Sequence, residues 1–283
     1  MICVILIITV LFLAATAFVV NSLAFRPPEK SKAEPDGRRI SFPSGKNRLT
    51  GYLWNENGTR GLVIFAHGMG TNTDYYLPEI HHFADAGFKV FAFEYSGYGD
   101  STGRFYGFPQ AVSDLKNAVG AVDDGKMPLI LIGHSMGGYA VCAVPQCLDR
   151  QVNAVIAYAP FFSSGEGIAE MTSGMPVIGT LMRLLILPVQ WAIFRGKRKL
   201  NGVRGLLAAN APSLILQGKD DIEVTCDGCS IYAHRSELAG SSVAFRLIED
   251  KDSSGHMTVI RKKGSRCVNE DTMRITDDLL RTL

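Results

Sequence analysis

Three groups in this sequence could together carry out acyl transfer: Ser135, a carboxylate of the pair Asp220-Asp221, and His256. A serine hydroxyl is a weak nucleophile at neutral pH unless a base removes its proton during attack. A histidine can be that base, and a carboxylate on its other ring nitrogen fixes the tautomer and stabilises the imidazolium. Ser135 stands in Gly133-His134-Ser135-Met136-Gly137-Gly138, after an apolar run at 128–132 and before a helix-compatible segment from 139 to about 148. Strand, sharp turn and helix with serine at the apex is the context that gives G-x-S-x-G its meaning. So tight a turn strains the serine backbone, and positions two before and two after pass close to neighbouring backbone, where a Cβ would clash. Gly133 and Gly137 occupy those positions. The helix starts at the serine, so the Met136 N–H is free to face a developing oxyanion.

The elements around these residues alternate. Apolar strand-like runs at 61–66, 88–95, 154–158, 213–217 and 243–248 are interleaved with helical patterns at 78–86, 107–122, about 227–238 and about 270–283. Short runs at 39–42 and 49–54, separated by Pro43-Ser44-Gly45-Lys46-Asn47, predict a hairpin. The alternation predicts an α/β fold with a mainly parallel sheet covered on both faces. Asp220 and Asp221 directly follow the strand 213–217, and His256 lies beyond the strand after it. All three groups thus fall at the C-terminal ends of different strands, the edge where open parallel sheets form sites. Of the six histidines, His67 and His134 belong to turn motifs and His81, His82 and His234 to helices, so all five read as structural or surface residues. Only His256 has both the loop context and the place in the chain.

From about residue 39 to 283 the chain resembles an α/β-hydrolase-fold serine hydrolase, in particular the monoacylglycerol-lipase-like and serine-aminopeptidase-like branch. The motifs carrying the resemblance are His67-Gly68-Met69-Gly70, Tyr95-Ser96-Gly97-Tyr98-Gly99-Asp100-Ser101, Gly133-His134-Ser135-Met136-Gly137-Gly138, and Gly218-x-x-Asp221-x-x-Val224 with Gly255-His256. The order Ser, Asp, His is that of the α/β-hydrolases. The family pattern places the acid three residues after the glycine, which selects Asp221 over Asp220. It implies a catalytic set of Ser135, Asp221 and His256, with an oxyanion hole from the backbone N–H groups of Met69 and Met136. Glu94 departs from the pattern, standing where many relatives have aspartate; the position reads as structural.

The chain divides into an N-terminal apolar segment at 1–21, a proline-containing linker at 22–37, and a hydrolase domain at 38–283 with a helical cap at about 161–207, inserted after the sixth strand. Residues 2–20 carry no charge and suit one membrane-spanning helix. A cleaved signal peptide is the alternative, disfavoured because no Lys or Arg precedes the run and the run continues past Ala15-Thr16-Ala17. Arg26, Lys30, Lys32, Arg38 and Arg39 follow it and favour a cytoplasmic catalytic domain. The stretch 176–194 is nearly as apolar, but a span there would part Ser135 from Asp221 and His256, so it must fold back. It reads either as a core helix on the sheet or as an apolar lid that receives an acyl chain and touches the membrane, with the basic residues 195–199 near headgroups.

The expected reaction is cleavage of a carboxylic ester with a medium or long acyl chain, such as a monoacylglycerol or lysophospholipid, without metal or organic cofactor. The alternatives are an acyl-thioester thioesterase, a serine aminopeptidase with Glu166 or Glu170 holding the substrate amine, and a non-catalytic binding scaffold. A net charge of +2 gives no reason to expect nucleic acid. Expected partners are a small-molecule or lipid ester and a membrane, met through the N-terminal segment with the cap as a second contact. Cys3, Cys142, Cys147, Cys226, Cys229 and Cys267 do not form a disulfide-scaffold pattern, and Cys226-Asp227-Gly228-Cys229 lacks the second pair of a zinc site. They read as unpaired thiols.

Overall fold

The computed structural model describes residues 2–174 and 176–283; the side chains of residues 2, 3 and 176 are outside the description, Cys3 among them. Eight strands form one sheet in the order β1-β2-β4-β3-β5-β6-β7-β8. β1 (Arg38–Ser44) and β2 (Asn47–Trp54) make the expected hairpin, and β2 pairs antiparallel with β4 (Lys89–Phe93). From β4 onward β3 (Leu62–Ala66), β5 (Leu129–His134), β6 (Ala154–Tyr158), β7 (Ser213–Gly218) and β8 (Val243–Ile248) are all parallel. The strands β3, β5, β6 and β7 are buried along their whole length, so they read as unbroken apolar runs rather than as alternation.

Helices cover both faces, and the core is split by the sheet into two apolar layers. α3 (Phe108–Val122), α4 (Met136–Ala143) and α7 (Gly202–Ala209) supply Leu115, Val141 and Leu206 to one layer. α2 (Leu77–Asp85) and α8 (Glu270–Leu280) supply Ile80, Phe83 and Met273 to the other.

Between β6 and β7 the chain makes one helical excursion, containing α5 (Ser164–Met171) and α6 (Pro176–Phe194), before α7 returns it to the sheet. An antiparallel bridge between Ser163 and Asn201 closes its base, reinforced by the Gly202 N–H donating to the Phe162 carbonyl at 2.9 Å. α6 packs against the N-terminal helix α1 (Ile2–Ala24), which runs three residues beyond the expected anchor boundary. Asn21 is buried there: Gln190 Nε2 donates to Asn21 Oδ1 at 2.7 Å and to the Tyr106 carbonyl at 2.6 Å, and Asn21 Nδ2 donates to the same carbonyl at 3.0 Å. Both helices are long and apolar enough to cross a membrane and leave most of their apolar side chains exposed.

The expected helix at 227–238 is instead a turn followed by a 3-10 helix, Ile231–Leu238. Long-range pairing overrides the helical pattern. Phe161 and Ser230 form an antiparallel bridge, the Phe162 N–H donates to the Cys229 carbonyl, and the Ile231 N–H donates to the Pro160 carbonyl. Residues 229–231 are thereby held against the start of the cap and cannot enter an α-helix. The helix after Ser135 begins at Met136, as the elbow pattern predicts, and tightens to a 3-10 turn from Val144, where Pro145 removes an N–H, short of the expected helical end near 148.

Candidate active site

Ser135 caps β5 with φ +55° and ψ −117°, a conformation a non-glycine residue adopts only under constraint. The constraint comes from both sides. Its N–H donates to the Tyr158 carbonyl at 2.9 Å, and its carbonyl accepts the Tyr139 N–H at 2.9 Å. A Cβ on Gly133 would meet the backbone of Gly137, and a Cβ on Gly137 would collide with the Ala66 carbonyl at the end of β3. The glycines therefore let the elbow sit against the neighbouring strand. Met136 is the first residue of α4, so its N–H has no acceptor within the helix. Met69, in the loop after β3, lines the same cavity as Ser135 and Met136.

Asp221 follows β7 and is buried. Its Oδ1 accepts the N–H groups of Glu223 at 2.9 Å and Val224 at 2.8 Å, which fixes the carboxylate. Its Oδ2 lies 2.8 Å from His256 Nδ1. A carboxylate can only accept, so His256 carries its proton on Nδ1 and leaves Nε2 with a free lone pair. The rival Asp220 is turned elsewhere: its Oδ2 accepts the Ser254 hydroxyl at 2.6 Å, tying the acid loop to the histidine loop. Gln217, the polar end of an otherwise apolar strand, braces the acid loop. Its Nε2 donates to the Val224 carbonyl at 2.9 Å, and its Oε1 accepts the Ser230 hydroxyl at 2.6 Å.

A buried relay joins the three loops around the site. The Gly68 N–H donates to the Tyr76 hydroxyl at 3.2 Å, and that hydroxyl lies 2.8 Å from His134 Nδ1. His134 Nε2 lies 3.0 Å from the His256 carbonyl. Because the carbonyl must accept, His134 bears its proton on Nε2 and Tyr76 donates to Nδ1. Burial, with the His256 ring beside it, holds His134 well below the ordinary imidazole range, so the ring stays neutral. His134 is thus structural, as its place in the turn motif suggests, and so is Glu94, whose Oε1 accepts the Thr73 N–H at 2.8 Å. His82 pairs with Asp277, His81 with Asp36, and His234 stacks on Phe162 between Glu166 and Glu237. Sequence reasoning missed Tyr76 and Gln217. A polar residue ending a buried strand could have marked Gln217; nothing local marks Tyr76.

Ser135 opens into a cavity of about 360 Å3 with apolar walls from Phe108, Phe161, Met171, Ile222 and Val224. Two carboxylates also line it, Glu170 and Glu223, and Glu223 Oε2 lies 3.9 Å from His256 Nε2. Cys229 lines the cavity as a free thiol that burial pushes up to about 12, and Cys142, Cys147, Cys226 and Cys267 are free as well. Among the described residues no group of three His, Cys, Asp or Glu is gathered so as to hold a metal ion. A hydroxyl at a strained elbow, an oriented imidazole–carboxylate pair and a pocket with apolar walls can together support acyl transfer.

The chain is 29% identical over 133 residues to a monoacylglycerol lipase of Mycolicibacterium smegmatis, covering 45% of this chain and 48% of that one. It is 26% identical over 141 residues to monoglyceride lipase of Mus musculus, covering 48% and 46%. It thus spans about half the length of the curated relatives it matches. Among solved structures, an esterase of Pyrococcus furiosus superposes with a TM-score of 0.67 at 16% identity, over 90% of this chain and 96% of that chain. A bacterial membrane phospholipase A superposes with a TM-score of 0.61 at 15% identity, over 98% and 93%. The expected α/β-hydrolase architecture is therefore the one observed. The family model described as serine aminopeptidase, S33, matches residues 57–201, just over half of the chain, and the strand order, elbow and loop placements seen here agree with it: this protein belongs to that α/β-hydrolase family.

Proposed function

We propose that this protein is a membrane-tethered serine hydrolase that cleaves carboxylic esters with an apolar acyl chain. One observation carries the reading: Asp221 and His256 are paired at 2.8 Å, from different loops, beside a cavity with apolar walls that holds Ser135. In the first half-reaction His256 Nε2 takes the Ser135 proton as Oγ bonds to the ester carbonyl carbon. The N–H groups of Met69 and Met136 stabilise the tetrahedral oxyanion, and losing one such donor typically costs about 3 kcal/mol. Collapse breaks the ester C–O bond, and His256 returns its proton to the leaving alcohol. Water, deprotonated by the same nitrogen, then releases the acid and restores Ser135. The similarity to monoacylglycerol lipases supports a monoacylglycerol as substrate.

α1 is read as the membrane tether, and the basic residues after it support a cytoplasmic catalytic domain. α6 lies between Ser135 and Asp221 in the chain and packs on α1 and the domain, which supports a cap rather than a second crossing. The aminopeptidase reading has one observation in its favour: Glu170 and Glu223 line the cavity and could hold a substrate α-amine. Glu166, the other carboxylate considered for that role, faces His234 instead.

The test is turnover of 4-nitrophenyl esters from acetate to palmitate and of aminoacyl 4-nitroanilides, with Ser135→Ala alongside and a fluorophosphonate probe. The expected result is ester turnover with a medium- or long-chain optimum, and probe labelling abolished in the variant. Anilide turnover that exceeds ester turnover would move the assignment to aminopeptidase. Absence of labelling would refute the serine mechanism.

A further inference from the structure

Two adjoining clefts open between α3 and the basic turn after α6, and neither shares a lining residue with the cavity at Ser135. They hold about 850 and 450 Å3, and Ser113, Asn117 and Lys197 line both. Ser44 and Asn47 of the β1–β2 hairpin complete a wall of hydroxyl and amide groups. The one carboxylate in either lining, among the described residues, is Asp114. It is buried and already engaged, accepting Ser44 Oγ at 2.6 Å, Ser96 N–H at 2.9 Å and Ser96 Oγ at 3.2 Å. Burial raises its carboxyl above the usual range, an effect opposed by its hydrogen bonds and by the nearby Lys197.

The rim is strongly basic. Lys116, Arg195, Lys197, Arg198 and Lys199 gather here, and among the described residues none of them is ion-paired with a carboxylate. Some cations elsewhere on the surface do find carboxylate partners, as in Arg38–Glu56, Arg150–Asp123, Lys219–Glu249 and Lys263–Asp252, and what sets the rim apart is the gathering of five cations beside one cleft. Uncompensated charge over a concave polar wall concentrates positive potential and draws anions. The same rim is apolar on its α6 side. Trp191 is 62% exposed and carries Arg198 over its ring at 4.4 Å, and Ile193 lines the larger cleft. An exposed tryptophan beside a cluster of cations suits a lipid–water interface.

We propose that this cleft binds the phosphate-bearing headgroup of an anionic lipid, with Arg195 and Lys197 on the phosphate and the end of α6 against the acyl region. Leu184, Leu187 and Trp191, exposed at three- and four-residue spacing on α6, favour a lipid over free phosphate as its occupant. The assignment does not depend on the hydrolase reading.

The test uses the full chain in non-ionic detergent, titrated with dioctanoyl phosphatidylglycerol, dioctanoyl phosphatidylcholine and inorganic phosphate. Trp191 fluorescence is the readout, since the other tryptophan, Trp54, is buried. Equal acyl chains cancel any contribution from the cavity at Ser135. The expected result is a saturable change with phosphatidylglycerol, lost at high salt and weakened at least about tenfold in Arg195→Gln/Lys197→Gln. Both substituted residues are exposed, and an unchanged melting temperature checks the fold. Equal response to the two lipids, saturation by inorganic phosphate at the same concentration, or an unaltered phosphatidylglycerol response in the double variant would each overturn the proposal. If the cations served only to cap α6, the variant would lose stability and keep the headgroup preference.

Discussion

Replacing Tyr76 with phenylalanine tests the relay that joins the loops around Ser135. The substitution keeps the ring, packed 5.4 Å from Phe65, and removes one oxygen. That oxygen serves two buried groups, accepting from the Gly68 N–H at 3.2 Å and donating to His134 Nδ1 at 2.8 Å. Each orphaned buried group costs about 1–3 kcal/mol, and the longer Gly68 bond belongs at the low end. The sum is about 2–4 kcal/mol, which for a chain of this size lowers Tm by roughly 5–15 °C. Gly68 directly precedes Met69, so its release shifts one of the proposed oxyanion donors without deleting it. Accordingly kcat on a 4-nitrophenyl ester falls about tenfold, short of the 10²–10³ expected for outright loss of a donor, and KM changes little. A double-mutant cycle with His134→Phe makes the reasoning strict. Once the imidazole is gone, the tyrosine hydroxyl has less to lose, so the double variant is more stable than the two losses predict, by at least about 1 kcal/mol. Additivity within about 0.5 kcal/mol, measured by thermal unfolding, would refute the relay as an energetic unit.

Three further outcomes follow from the same structure. His134 is held below its unfolded value, so its contribution is fully present above about pH 6.5 and is lost as pH falls toward the folded value, by up to about 1.4 kcal/mol per unit; unfolding profiles from pH 7.5 to 5 are therefore steeper for the wild type than for His134→Phe. Arg261 and Glu79 form a buried bidentate pair at 3.0 and 2.6 Å, with Arg261 Nη2 also donating to the Tyr75 carbonyl. Glu79→Ala strands the guanidinium and costs about 3–5 kcal/mol, read as a lower urea midpoint. Gly137→Ala drives a methyl into the Ala66 carbonyl, so ester turnover collapses along with stability; a variant with wild-type rate would mean the elbow need not touch β3.

The legible features were those set by neighbours in the chain. The elbow depends on Gly133 and Gly137 flanking Ser135 within five residues, and the acid and histidine loops each follow a strand whose apolar run is visible. The choice between Asp220 and Asp221 needed a family pattern, because both carboxylates fit the loop; the structure separates them by partner, Ser254 for one and His256 for the other. What could not be read depends on pairings across long sequence separations. Tyr76 meets His134 through a contact 58 residues apart, and Asn21 meets Gln190 across 169. The segment 227–238 was misjudged for the same reason: its local pattern is helical, yet bonds to Pro160 and Phe162 hold its start out of the helix.

The neck of the cap, where Ser163 and Asn201 meet and Gly202 bonds to Phe162, has an evolutionary consequence. Beyond that closure, the intervening residues meet the domain through Gln190, bonded to the Tyr106 carbonyl, and through the buried Ile168 and Ile186. Closing a longer loop grows costlier only logarithmically, by about 0.6 kcal/mol per doubling of length. A lineage can therefore lengthen, trim or exchange the stretch from 164 to 200 while β6 and β7 keep their register. Ser135, Asp221 and His256 all lie outside it, whereas Gly167, Glu170 and Met171 of the pocket wall lie within. The proposed catalytic residues and one part of the pocket wall are thus inherited on separate segments of one gene product, and selection can revise that part without re-evolving the chemistry, while Phe108, Phe161, Ile222 and Val224 of the same wall stay outside the exchangeable stretch.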